Sequence, residues 1–379
     1  MKAIVNGKLI LPQEILTGQT LLFDTRIRRI APLKKEQLPA GTECIDAKGQ
    51  YISPGFINLH IHGIGGSDTM DGTEEALKQM CRMLPATGVT GFLPTTMTET
   101  EEKIRTALAN IAACTEKHFA GAEILGVNME GPFISTAYKG SQEASNIQKA
   151  HWELVAPYAG CIKIITLAPE NLAEPAAFIR RCRENGILVS LGHSNATYEE
   201  AAAAYANGAS HITHLFNAMR PFHHREPGLA GAALTLPFIC ELICDGIHIH
   251  PAAIALAVKA KSPDHIVLVT DSLRACLMGD GESELGGHKV YVKGLRATLQ
   301  DGTLAASVLS MHLGVKNLKE FAHLSLPEAV RAASLNPATE LGLRDRGSLA
   351  EGKRADLVFF DETFTISRTY VKGACVYQH

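Results

Sequence analysis

The sequence predicts an α/β protein, a (β/α)8 TIM-like barrel with a small β-sandwich domain built from both chain termini. Three observations predict it. From about residue 56, short β-branched runs alternate with longer Ala-, Leu-, Glu- and Lys-rich segments. The apolar runs number eight, and the two ends of the chain carry short strands and Gly/Pro turns in place of that alternation. Strands that are apolar along their whole length belong to parallel sheets buried on both faces, and eight of them suit a closed barrel.

In order, the runs are Phe56–His62, Val89–Thr96, Ile124–Glu130, Ile162–Ala168, Ile187–His193, His211–Phe216, Ile239–His248 and Ile266–Asp271. Helical patterns lie between most of them: Thr73–Leu84, Glu99–Lys117, Glu174–Asn185, Thr197–Asn207 and Pro251–Ala260. Thr197 with Glu200 reads as a capping box. An open doubly wound sheet is the alternative, weakened because no Gly-x-Gly-x-x-Gly follows an early strand. Residues 1–54 hold Ala3–Asn6, Leu21–Asp24 and Ile27–Ile30; after turns at Arg346-Gly347 and Glu351-Gly352 the tail holds Asp356–Phe360 and Tyr370–Val376. The expected division is a sandwich of 1–54 plus 341–379 around a barrel of 55–340. Leu277–Thr303, rich in Gly and Asp, is expected to be a hairpin lid or an edge.

Composition narrows the function. A chain of 379 residues with 46% hydrophobic and 20% charged residues is not disordered. A net charge of -3 gives no basic field for nucleic acid. The start of the chain has no apolar signal core, and the longest weakly polar stretch, Leu229–Cys240, is shorter than the roughly 20 residues that cross a bilayer. Nine cysteines without a Cys-x-x-Cys pair read as buried free thiols. No nucleic-acid or membrane partner is expected, and the cytoplasm is the expected location.

Five runs end in a metal-ligand or acid/base side chain. His60 and His62, two apart on one strand, share a face. Glu130 precedes Gly131-Pro132, where burying a carboxylate is costly unless a cation is near. His193 ends the fifth run, His214 lies in the sixth and Asp271 closes the eighth. The C-terminal strand ends of a barrel converge on one face, and imidazole with carboxylate is the donor set of a hydrolytic divalent metal, zinc first, with iron, cobalt or manganese as alternatives.

These residues lie in blocks that resemble the N-acetylglucosamine-6-phosphate deacetylase family of the amidohydrolase superfamily. The blocks are PGFINLHIHG (54–63), MEGPF (129–133), GHSNATYEEA (from Gly192), HITHLFNAMRPFHHREPGLAGAA (to Ala233), DGIHIHP (245–251) and VTDS (269–272). The resemblance implies the barrel and composite sandwich, a homodimer, and removal of acetate from an amino-sugar phosphate. It implies that Glu130, His193 and His214 hold the main metal. His60 and His62, with Glu130 bridging, would hold a second, so one or two ions per subunit are expected. Asp271 matches the general base and acid, and His248 a donor to the carbonyl oxygen. Substrate contacts are implied at Ser141, Asn217, Ala218, Arg225, His248, Leu304, Ala305 and Ala306, with Arg225 reaching the phosphate in the neighbouring subunit's site. Departures are Ala306, where the family usually has glycine, the residues Val308–His312, and the segment Gly140–Ala144. They open the galactosamine epimer as a rival substrate. A cyclic-amide hydrolase or deaminase, and a non-catalytic sugar-phosphate binder, are the remaining alternatives.

Overall fold

All eight apolar runs yield strands of one parallel series: β1 (Phe56–Ile61), β2 (Val89–Pro94), β3 (Val127–Glu130), β4 (Ile162–Leu167), β5 (Leu188–Leu191), β6 (Ala209–Ile212), β7 (Ile239–Ile243) and β8 (Ile266–Val269). They are seen in a computed structural model that describes residues 1–379, the side chain of Lys35 excepted. β1 pairs with β2, and β3 to β8 pair in sequence, all parallel. Thr95 bridges to Asn128 across β2 and β3. The ring closes where Asp271 N donates to His60 O (2.9 Å) and Asn58 Nδ2 to Thr270 Oγ1 (2.7 Å). The protein is a (β/α)8 barrel. Side chains from five strands, including Ile57, Leu93, Ile164, Ile243 and Val267, meet inside it. Above them lies a buried polar belt in which Thr166 and Ser190 hydroxyls bond to Thr213 Oγ1 at 2.8 and 2.6 Å.

Helices α1 (Glu74–Met83), α2 (Glu101–Thr115), α3 (Pro175–Glu184), α4 (Tyr198–Ala206), α5 (Gly228–Thr235), α6 (Pro251–Lys261) and α7 (Met311–Phe321) wrap the barrel. The capping box forms: Glu200 N donates to Thr197 Oγ1 (3.1 Å) and Thr197 N to Glu200 Oε2 (2.8 Å), an arrangement worth about 1 kcal/mol. No helix among the described residues is long and apolar enough to cross a membrane.

The ends of the chain share a β-sandwich. One sheet holds Ile27–Ala31, Thr20–Phe23, Lys2–Val5 and Glu43–Asp46; the other holds Ala374–Gln378, Ile366–Val371, Leu357–Phe360, Tyr51–Pro54, Lys8–Ile10 and Ile15–Leu16. Tyr51–Pro54 pairs antiparallel with Leu357–Phe360, so the termini meet within one ladder. Ile4, Leu21 and Phe23 from one end pack with Leu357, Phe359 and Tyr370 from the other.

Three expected strands are drawn differently. The tail strand Tyr370–Val376 is two strands, because Lys372 (φ 49°) and Gly373 (φ 74°) make a two-residue hairpin turn. The sixth run leaves the ladder after Ile212, since His214 (φ 30°) and Phe216 (φ 77°) are left-handed. The seventh stops at Ile243, where Asp245 Oδ1 accepts from Ile247 N and His248 N (2.8 Å each) and curls the chain. The Leu277–Thr303 excursion is a three-stranded antiparallel sheet, Gly281–Leu285, His288–Lys293 and Arg296–Thr298. Its apolar face rests on Met97 and Leu273 at the C-terminal end of the barrel.

Candidate metal centre

Each strand end contributes through a local reason. His60 sits on β1 and His62 one residue beyond it, where His62 Nδ1 donates to Thr95 O (3.2 Å). Glu130 ends β3. His193 follows Gly192, a position where an added Cβ would meet Thr213 Cβ at 2.6 Å, so only glycine permits that approach. His193 Nδ1 donates to Tyr138 O (3.0 Å). Carbonyl acceptors place the protons on Nδ1 and leave Nε2 of both rings as potential ligands. His193 (φ 47°), His214 (φ 30°) and Asp271 (φ 48°) are all left-handed. That conformation costs about 1–3 kcal/mol per residue and persists where surrounding bonds over-determine it. For Asp271 those are Asp271 N to His60 O and Ser307 N to Asp271 O (2.8 Å).

The side chains converge. Glu130 Oε1 lies 3.2 Å from His193 Nε2 and from His214 Nε2, and the two nitrogens are 3.1 Å apart. Glu130 Oε1 also lies 3.5 Å from His60 Nε2, and its Oε2 lies 3.5 Å from His62 Nε2. Asp271 Oδ1 is 3.2 Å from His62 Nε2 and 3.5 Å from His60 Nε2. Two buried groups able to hold an ion result, His60/His62/Glu130 and Glu130/His193/His214, sharing one carboxylate. The donor set fits a divalent metal. His60 Nε2 is buried and has no hydrogen-bond partner, although it faces two carboxylates.

The electrostatics agree. Burial works to raise Glu130, yet the His193 and His60 charges hold it well below the usual carboxylate range. Asp271 is likewise pulled down to about 2 against burial, by His60 and His62. Burial alone would lower His62 and His214, but bonds and charge from Asp271 and Glu130 push each up to about 9. Concentrated negative charge in a dry pocket asks for a cation.

A cavity of about 240 Å³ opens onto this centre. Ser141, Asn217, Ala218, His248, Leu304 and Ala306 line it, beside Met97 and Leu285. Ala305 is an expected contact that the cavity does not include, and Arg225, expected to serve a neighbouring subunit's site, lies outside its own cavity. Ala305 is fully buried in the apolar cluster beneath the excursion, and Arg225 is exposed on the 221–226 loop, its Nη1 2.7 Å from His224 Nε2. Three site residues went unread in the sequence. Gln142 donates to Glu130 Oε2 (2.9 Å) while its Oε1 accepts from Thr98 N (2.8 Å). Asp245 Oδ2 accepts from His248 Nδ1 (2.6 Å). Glu241, inside the apolar run Ile-Cys-Glu-Leu-Ile, accepts from His60 Nδ1 (2.9 Å). The only signal for it was a carboxylate where burial is costly.

Comparison with known proteins places this geometry. The amidohydrolase family profile matches residues 51–376. N-acetylglucosamine-6-phosphate deacetylase of Bacillus subtilis (strain 168) is 40% identical over 368 residues, covering 95% of this chain and 92% of that protein. N-acetylgalactosamine-6-phosphate deacetylase of Escherichia coli O157:H7 is 33% identical over 367 residues, covering 95% and 97%. The crystal structure of N-acetylglucosamine-6-phosphate deacetylase from Pasteurella multocida superposes with a TM-score of 0.94 at 32% identity, covering 100% of each chain.

Proposed function

The chain belongs to the amidohydrolase family and, within it, to the N-acetylglucosamine-6-phosphate deacetylases, and on that premise we infer the reaction and the residues that perform it. It is a hydrolase of the acetamide of N-acetyl-D-glucosamine 6-phosphate, giving D-glucosamine 6-phosphate and acetate, and acts in amino-sugar catabolism. The observation that carries the site assignment is the pair of buried N,N,O groups joined at Glu130, with Asp271 beside them in an open cavity.

We assign Glu130, His193 and His214 to one divalent ion and His60, His62 and Glu130 to another, zinc being the first choice. When bound, such an ion supplies Lewis acidity, lowering the pKa of water towards about 7 and polarising the acetamide carbonyl. The chain's own residues do the rest. Asp271, whose Oδ1 lies 3.2 Å from His62 Nε2 in the cavity wall, accepts a proton from the attacking water and delivers it to the amine. An unprotonated amide anion would not leave. His248, held by Asp245, is assigned as donor to the carbonyl oxygen, where one donor is worth roughly 2.7–4 kcal/mol in other enzymes. Ser141, Asn217, Ala218, Leu304 and Ala306 surround the sugar, with Ala305 fixing that loop from beneath.

Arg225 is assigned to the phosphate in a neighbouring subunit of a homodimer, because it stands exposed outside its own cavity on a loop that also exposes Phe222 (57%). The cytoplasm is the assigned compartment, since most of the cysteines are buried free thiols. Acetate release from both epimeric sugar 6-phosphates, with metal content measured on the same preparation, tests the reading. We expect the glucosamine epimer to be preferred. Preference for the other epimer would assign the chain with its Escherichia coli relative, and no acetate from either by metal-loaded protein would reject the reading.

A further inference from the structure

We propose that Glu241 is the positioning residue that makes His60 a metal ligand, and so decides whether the His60/His62/Glu130 group takes a divalent cation. The proposal rests on the reading of this pocket as an ion centre. Glu241 lies in the middle of β7, is 1% exposed, and does not line the cavity. Its Oε2 accepts from the backbone N–H of His214 at 3.1 Å. A backbone amide can only donate, so this oxygen is an acceptor, and it lies 2.9 Å from His60 Nδ1. The ring proton therefore sits on Nδ1, and the neutral ring offers a lone pair at Nε2.

That Nε2 is the buried, unpartnered atom facing Glu130 Oε1 and Asp271 Oδ1, each at 3.5 Å. With the opposite tautomer, an Nε2–H would bond to either carboxylate and satisfy the pocket without an ion. Glu241 removes that competing arrangement, and its charge makes the imidazole a better donor. The other rings are oriented differently: His62 and His193 each donate to a backbone carbonyl, from Thr95 and Tyr138. Of these three, only His60 depends on a side chain that substitution can change. The same Glu241 oxygen also accepts from the His214 backbone N–H, a main-chain bond that leaves the His214 ring nitrogens untouched, so the ring Glu241 orients is that of His60.

The test is ion binding, not turnover. Chelator-stripped protein is titrated with zinc(II) by calorimetry and with cobalt(II) by visible absorption. Wild type is expected to bind two ions. Glu241→Gln keeps both, since its amide oxygen can accept from both N–H groups. Glu241→Asp, which withdraws the carboxylate by one methylene, should weaken one binding step by roughly 10–100-fold and leave the other closer to wild type. In a His60→Ala background the Glu241→Asp change should add little, because the two act on one ligand. Equal two-ion binding by wild type and Glu241→Asp overturns the proposal, as do additive losses with His60→Ala or a wild type that takes one ion. A wild type that binds none rejects the ion centre itself. A measurement independent of variant folding is the histidine nitrogen-15 spectrum of zinc-loaded wild type. His60, identified by its absence in His60→Ala, should carry its proton on Nδ1, and a proton on Nε2 refutes the assignment.

Discussion

Asp271 combines a left-handed backbone, a carboxyl held at about 2 and a place in the cavity wall. Asp271→Asn should keep the fold and much of the sugar-phosphate affinity while lowering kcat by roughly 10²-fold or more. Steady-state kinetics with a binding titration check this, and near-normal turnover would remove the proton-transfer role. Ala306 is a second residue whose backbone matters. Its φ of 52° is a region glycine occupies freely, and the residue lines the cavity. Ala306→Gly should stabilise the protein by about 1 kcal/mol, read as a higher denaturant midpoint at unchanged slope. The ligands were legible at this scale because strand ends in a barrel converge. Glu241 was not, since one carboxylate in an apolar run does not say which buried partner satisfies it. Gln142 sits in irregular chain with no period to place it.

Elements were legible wherever a period was long and uninterrupted. All eight barrel strands and five helices lie within a few residues of their expected positions, and the misplaced boundaries are those set by left-handed residues or, after Ile243, by the Asp245 side chain. The turn at Lys372-Gly373 shows why. Gly373 stands where an added Cβ would lie 1.8 Å from Asp24 O, so the hairpin of the tail folds directly against the N-terminal sheet. Gly373→Ala should therefore destabilise by about 2–4 kcal/mol, through steric conflict as well as its φ of 74°. Chemical denaturation measures the loss, and a change below about 0.5 kcal/mol would mean that the two segments do not meet there. The excursion after β8 was expected as a lid or an edge. It became a small sheet that hands Leu285 to the cavity wall, a contact no local pattern could announce.

At the scale of the whole molecule, Glu123 links the barrel to the returning tail. It lies on a two-residue strand beside β2, and its Oε2 accepts from Arg346 Nη1 (2.7 Å) and Arg354 Nη1 (2.5 Å). Burial would raise its carboxyl, but the two guanidinium groups pull it down to about 2 from an ordinary 4.5. A depressed carboxyl contributes stability that is complete above the unfolded value and disappears as pH falls through the folded one. Glu123→Gln should cost about 2 kcal/mol at pH 7, and the gap to wild type should close between pH 4.5 and about 2. Denaturant midpoints across that range decide it, and a gap that stays constant with pH would deny the linkage. The pairing of the two ends could be suggested by composition alone, but only the ladder between Ser53 and Val358 makes it a fact.

That ladder bears on how the polypeptide is made. Leu9, Leu21 and Phe23 are synthesised long before Leu357 and Phe359, which cover them. At roughly 5–20 residues per second, the intervening synthesis leaves those greasy side chains bare for tens of seconds. Nascent chains stalled before Leu357 should therefore carry an unfinished, aggregation-prone N-terminal segment, the natural client of a holding chaperone.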